Sequence, residues 1–253
     1  MAMNPMEQFE VKPILQHPLL QIAGHDIYFT NQALLMCVAV LAASLFLTLS
    51  VSRGRLVPTR LQSMAEVSYE FVAGMIRSTA GDDGMVFFPF VFTIFMFVLF
   101  CNFFGMIPGA FTPTSQIAVT LALAALVMLT VIVTGFVVHG IGFFKLFVPK
   151  APFLLLLLLV PIEIISFLTR LVSLSVRLFA NMLAGHTMLA VFASFVIALG
   201  AVGGILSALS IAPMLMIVFI GALEMLVAFL QAYVFAILTC IYLNEALHLH
   251  EHH

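Results

Sequence analysis

Apolar residues follow one another in long stretches along most of this chain instead of alternating with polar ones. The stretches cover residues 28–51, 85–107, 117–139 and 151–247. A helix needs about 20 apolar residues to cross the hydrocarbon core of a bilayer, so each of the first three predicts one membrane span. The last stretch is interrupted by glycines near Gly200, and it therefore predicts two long helices.

These last two helices are longer than a perpendicular crossing requires. Each holds roughly 40 residues and, at ~1.5 Å per residue, extends about 60 Å. A helix of that length tilts within the membrane or lies partly along it. The expected fold class is an all-α polytopic membrane protein in a single domain, with about five membrane helices, the last two forming a long tilted hairpin over 151–247.

Residues 58–79 have a different pattern, because charged side chains are interspersed among apolar ones at helical spacing. The apolar positions are Leu61, Met64, Val67, Phe71 and Met75. This pattern predicts an amphipathic helix on the membrane surface or against a partner, and not a span. Residues 1–27 lack the basic start and short apolar run of a signal peptide and are expected to be a lead-in to the first span.

Composition supports a membrane protein and excludes other classes. The chain of 253 residues is 64% apolar and 8% charged, whereas a typical soluble domain is about 25% charged. Its net charge of −2 offers no basic surface for nucleic acid. Cys37, Cys101 and Cys240 lie far apart in apolar runs, so we expect small core residues and neither disulfides nor a metal site.

Basic residues lie mainly in the two loops that a five-span chain places on the same side. They are Arg53, Arg55, Arg60, Arg77, Lys145 and Lys150. The positive-inside rule assigns that side to the cytoplasm, or to an equivalent matrix, so the N-terminus is expected outside and the C-terminus inside. The His-rich residues 248–253 are expected to form a solvated tail, with metal binding as the alternative.

A polar stripe follows one face of the first long helix. Its members, separated by three or four residues, are Glu163, Ser166, Arg170, Ser173, Arg177 and Asn181. That spacing places them on a single helix face over about 27 Å. His186 follows about one turn later, and Glu224 and Gln231 share a face of the next helix. Ionisable residues inside a membrane are costly, so they indicate either a functional path or polar contacts between helices.

Arg177 needs an anion, since arginine keeps its proton at any working pH. The carboxylates of this region are at least seven residues away along its helix or lie on another helix. We therefore expect the anion to come from another subunit.

The segment LTRLVSLSVRLFANMLAGH at 168–186 resembles the signature of subunit a of the F-type, proton-driven ATP synthase. Supporting matches are CNFFGMIPGAFTPTSQIAVTLALA at 101–124 and LEMLVAFLQAYVFAILTCIYLNEALH at 223–248. The resemblance covers nearly the whole chain from about residue 15. The order of His186 before Glu224 is similar to that of mitochondrial and alphaproteobacterial members.

The resemblance implies roles for individual residues. Arg177 matches the essential arginine that faces the carboxylate of the rotating c-ring, with Asn181 one turn further and Gln231 opposite. His186 and Glu224 match an imidazole–carboxylate pair in the outer half-channel. Three more match polar positions toward the cytoplasmic half-channel, namely Glu163, Arg170 and Ser173.

The resemblance also implies the setting in which the chain acts. The expected partners are the c-ring, the peripheral stalk subunits b, the lipid bilayer and transported protons. The chain is not expected to be an enzyme by itself or to bind nucleotide, cofactor or metal. Its expected location is a bacterial inner membrane, or alternatively that of mitochondria. The alternative functions are a stand-alone ion channel or secondary transporter, and a membrane enzyme. Such an enzyme would hold haem through His139 and His186 or a metal through His186 and Glu224.

Overall fold

The computed structural model describes residues 11–14, 20–22, 25–51, 58–107, 111–140, 142, 153–202 and 209–247. Several features singled out in the sequence lie outside these residues. They are Arg53, Arg55, Lys145, Lys150 and the His-rich tail at 248–253.

Six α-helices occur within the described residues. They are α1 (Asn31–Val51), α2 (Arg60–Ala80), α3 (Phe88–Gly105), α4 (Ile117–His139), α5 (Phe153–Val202) and α6 (Ile211–Leu247). Two three-residue antiparallel strands precede them, β1 (Leu20–Ile22) and β2 (His25–Ile27), which the sequence pattern did not predict. Five helical segments are long and apolar enough to cross a membrane, as the expected all-α polytopic fold class requires, and that prediction is confirmed.

Helix α2 is not among the five membrane-crossing candidates, and its sequence explains how it begins and ends. The Thr59 side chain accepts a hydrogen bond from the backbone N–H of Gln62, which caps the first turn. The helix stops at Gly81, whose φ of 67° is a conformation that glycine adopts without strain. The apolar face of α2 is only partly buried, since Met75 is buried while Met64 remains exposed.

The two long helices differ in length. Helix α5 has 50 residues and continues past Gly200 to Val202, whereas α6 has 37. Pro161 lies inside α5, where it cannot donate the backbone hydrogen bond of an ordinary helical residue.

The chain forms two compact units, and both long helices contribute to each. The first unit contains residues 1–45, 97–116 and 178–232. The second unit contains residues 46–96, 117–177 and 233–253. The ionisable residues of α5 and α6 are therefore divided between these two units.

The cysteines do not share one environment. Cys101 and Cys240 are fully buried, but Cys37 is exposed, so the expectation of a core position is wrong for Cys37. An apolar residue on a membrane helix can face lipid as readily as protein, and an apolar run therefore does not predict which side faces the core.

We predict that thiol labelling separates these cysteines. In the detergent-solubilised protein, an apolar fluorogenic maleimide should react with Cys37 in the folded state and with Cys101 and Cys240 only on heating, because packing shields their sulfur atoms. A Cys37→Ser variant provides the control and should remain dark until it unfolds. Rapid labelling of that variant at low temperature would contradict the burial of the other two.

Candidate functional site

An imidazole and a carboxylate meet between α5 and α6 in the first unit. His186 Nδ1 lies 3.5 Å from Glu224 Oε1, and the Glu224 side chain is only 5% exposed. Neither carboxylate oxygen of Glu224 has a hydrogen-bond partner within the part of the chain described. A carboxylate and an imidazole are both acid–base groups, so a proton can pass between them when they come within hydrogen-bond reach.

Gly185 makes this close approach possible. A Cβ atom at position 185 would lie 2.8 Å from Glu224 Oε1, which is closer than real Cβ contacts. Glycine leaves that space to the carboxylate, so the residue before His186 has a steric role at the site.

A polar cluster from the loop between α3 and α4 adjoins the pair. The Thr112 hydroxyl lies 3.0 Å from His186 Nε2. Thr114 donates to Asn102 Oδ1 at 2.9 Å, and Asn102 donates to the Ala228 carbonyl at 3.1 Å. In the sequence these residues were named only as part of the segment 101–124 that resembles the family, and none was singled out as a site residue. Hydroxyl and amide groups that lie close together in an apolar chain could have identified them.

Two further expected site residues belong to the same unit. Gln231 is 6% exposed, and its amide nitrogen finds no acceptor among the described residues. Asn181 is half-buried on α5.

In the second unit, Arg170 of α5 forms an ion pair with Glu245 of α6. Its guanidinium carbon also lies 5.6 Å from the centre of the Tyr242 ring. Sequence reasoning missed Glu245. It lies 21 residues after Glu224 and 14 after Gln231, and since seven residues are nearly two helical turns, this spacing could have identified it.

Arg177 has different surroundings from Arg170. Its side chain is exposed, and its Nη2 atom donates to Ser173 Oγ at 3.4 Å. Within the described ranges no carboxylate oxygen lies within 4.0 Å of its guanidinium. Glu163 is half-buried earlier on the same helix. Two arginines seven residues apart on one helix thus differ: Arg170 pairs with a carboxylate, and Arg177 has none nearby among the described residues.

His139 contacts the end of α6 in the second unit. Its Nε2 atom lies 3.1 Å from the Leu247 carbonyl oxygen, and since a carbonyl only accepts, the imidazole donates. This contact satisfies a carbonyl of the last helical turn. In the part of the chain that the structure covers, no group of three or more His, Cys, Asp or Glu side chains could hold a metal ion.

The fold and these contacts define a multi-pass α-helical membrane protein with ionisable side chains on its two longest helices. The chain belongs to the ATP synthase A chain family, whose model matches residues 33–244. It is 56% identical to ATP synthase subunit a of Mesorhizobium japonicum, over 97% of this chain and 96% of that protein. Similar relatives occur in Agrobacterium fabrum, at 57% identity over 98% and 99%, and in Pelagibacter ubique, at 55% over 99% and 100%.

We predict that Gly185→Ala destabilises the protein relative to Gly200→Ala. Both changes place alanine in α5 and gain the same helix propensity, but a Cβ at position 200 meets no atom within 4 Å. The difference isolates the clash with Glu224, and overpacking of this kind costs about 1–3 kcal/mol. The measurement is the midpoint of thermal unfolding, followed in a Cys37→Ser background by labelling of the buried Cys101 and Cys240. Equal midpoints would contradict a steric role for Gly185.

Proposed function

We propose that this chain is the stator subunit a of an F-type ATP synthase, which couples proton translocation to rotation of a c-ring. In this proposal the chain provides two offset proton half-channels, and Arg177 separates them. Membership of the ATP synthase A chain family and the names of its relatives support the subunit role. The proposed location is the inner membrane of a bacterium.

The observation that carries the proposal is the exposed guanidinium of Arg177, which has no carboxylate oxygen within 4.0 Å among the residues that the structure describes. A charged group on an apolar helix costs several kcal/mol unless it is paired or reaches water. Arg170, on the same helix, pairs with Glu245. Arg177 instead points its charge outward with Ser173 as its hydrogen-bond partner. An anion on a neighbouring subunit accounts for this difference.

The c-ring supplies that anion as a carboxylate. While it faces lipid, this group stays neutral and protonated, because a bare charge there is too costly. Beside Arg177 the opposite charge stabilises the ionised form, so the carboxylate gives up its proton to one half-channel. After passing Arg177 it takes a proton from the other. Arg177 cannot relay protons between the channels because it keeps its own.

The remaining candidates divide between the two half-channels. His186 and Glu224 form the proton-exchanging pair of the outer half-channel, and Gln231 and Asn181 are polar groups near the gate. Glu163, Arg170 and Ser173 belong to the cytoplasmic half-channel. The Lys/Arg bias of the loops supports an outer N-terminus and a cytoplasmic C-terminus.

Protons supply the energy for rotation. A membrane potential of ~100 mV contributes about 2.3 kcal/mol for each proton that crosses, so several protons per turn can drive the ring. Torque on the ring requires a fixed stator, and we assign the peripheral stalk subunits b to that attachment.

The first test replaces Arg177 by alanine in the assembled complex. We expect proton-driven ATP synthesis to disappear and passive proton leak to rise, because nothing then separates the half-channels. Arg177→Lys should rescue only in part, since an ammonium lacks the planar, permanently charged guanidinium. Synthesis and leak are measured in proteoliposomes with an imposed gradient.

The matched control is Arg77→Ala, which removes an arginine from the exposed surface of α2. It should leave coupling unchanged. Coupled synthesis in the Arg177→Ala complex would refute the gate. A selective ion flux from the isolated chain in liposomes would favour a stand-alone channel or transporter.

A second test concerns the outer path. Replacing both His186 and Glu224 by alanine should lower proton flux through the complex by at least about a hundredfold, the usual contribution of a positioned acid–base group. Co-purification of the ring subunits with the double variant reports assembly independently of flux. Normal flux in an assembled double variant would remove the pair from the proton path.

A further inference from the structure

Thr112 is a buried hydroxyl that contacts two groups at once. It is 2% exposed in the loop between α3 and α4. Its oxygen lies 3.0 Å from His186 Nε2 and donates to the Gly105 carbonyl at 3.2 Å. The imidazole of His186 is therefore in contact with a residue that lies outside the two long helices.

The loop holds Thr112 in a defined position. The Ser115 hydroxyl and backbone N–H both donate to the Thr112 carbonyl, at 2.7 and 3.1 Å. The next hydroxyl, on Thr114, is bonded to Asn102, whose amide reaches the backbone of α6 at Ala228. Hydrogen bonds from Thr112 and Thr114 to α3, and from α3 through Asn102 to α6, hold these loop residues in place before any proton arrives.

Gly105 lets the loop approach α3 closely. A Cβ atom there would lie 2.5 Å from Thr112 Cγ2 and 2.7 Å from its hydroxyl oxygen. The carbonyl that Thr112 bonds belongs to the last turn of α3, where backbone acceptors lack partners within the helix. The hydroxyl hydrogen thus satisfies a buried helix end.

A count of protons gives the consequence for His186. Threonine has a single hydroxyl hydrogen, and when it is donated to Gly105 the oxygen can only accept from Nε2. The imidazole then carries its own hydrogen on Nε2, because the hydrogen bond at one ring nitrogen selects the tautomer. Nδ1 is left with its lone pair toward Glu224 Oε1, 3.5 Å away.

We propose that Thr112 is a positioning residue for proton transfer between His186 and Glu224. It holds the neutral imidazole in the Nε2–H tautomer, so that Nδ1 is the atom that exchanges a proton with the carboxyl group. In each transfer the proton leaves Glu224 Oε1 as its bond to Nδ1 forms, or the reverse, and the Nε2–H bond is retained. The inference rests on the proposed function for the role of the pair, but it concerns a residue outside that pair.

The opposite tautomer shows why Thr112 matters. It places hydrogen on Nδ1 and requires Thr112 to turn its hydroxyl hydrogen toward Nε2. The Gly105 carbonyl then loses its donor from Thr112, and a buried acceptor without a partner is costly. Each tautomer flip at His186 therefore requires a hydroxyl rotation at Thr112.

The test uses the assembled complex in proteoliposomes with ¹⁵N-labelled histidine. A difference spectrum against His186→Gln assigns the two ring nitrogens of His186 by solid-state NMR. In the unsubstituted complex we expect neutral His186 to carry hydrogen on Nε2. Thr112→Val keeps the branched shape but removes the hydroxyl, so it should mix the tautomers and lower proton flux about tenfold, the effect of one lost hydrogen bond. Thr112→Ser restores the hydroxyl and should rescue both.

Several outcomes would overturn the inference. They are an Nδ1–H tautomer in the unsubstituted complex, an unchanged tautomer and flux in Thr112→Val, or failure of Thr112→Ser to rescue. The first needs no variant of Thr112, so it decides even if Thr112→Val does not assemble. His186→Ala separates this inference from the proposed function. If its flux is normal, the channel role of the pair fails, whereas impaired flux in His186→Ala beside normal flux in Thr112→Val overturns only the role of Thr112.

Discussion

A charged or titratable side chain on an apolar helix requires a partner, and this requirement explains the polar contacts of α5 and α6. Arg170 meets it with Glu245, and His186 meets it with Glu224 and Thr112. Arg177 has an exposed side chain and no carboxylate within 4.0 Å in the described part of the chain. The cost of an unpaired charge on an apolar helix therefore accounts for two pairs within the chain and for the exposure of Arg177. The proposed function follows from the difference between Arg177 and the paired residues.

The internal pairs depend on close packing of small residues. Gly185 leaves space for Glu224, and Gly105 leaves space for Thr112. Both glycines matter because a side chain there would displace a polar group, and neither is at a turn that needs a positive φ. Two atoms can share a proton only when they lie within a few ångströms of each other. The contacts of Glu224 and Thr112 with His186 therefore depend on these two glycines as well as on the polar side chains themselves.

The loop between α3 and α4 extends this network beyond the long helices. Asn102, Thr112 and Thr114 join the end of α3 to the His186–Glu224 pair and to the backbone of α6. Irregular backbone in a membrane protein must satisfy its own polar groups, and here the Thr112 hydroxyl that bonds the Gly105 carbonyl also reaches an imidazole. If Thr112 selects the tautomer of His186, a structural requirement of the loop becomes part of the proton path.

The amino-acid sequence was enough to predict the membrane fold class, five membrane helices and the ionisable residues whose presence in lipid is costly. These follow from hydropathy and spacing, which are local properties of a chain. Tertiary structure decided the partners: Glu245 for Arg170, Thr112 for His186 and the space that Gly185 leaves for Glu224. It also decided that Cys37 faces outward and that α2 buries only part of its apolar face. These partners are set by packing between segments that are distant in the sequence. A pattern of apolar positions does not show which face of a helix contacts protein and which contacts lipid.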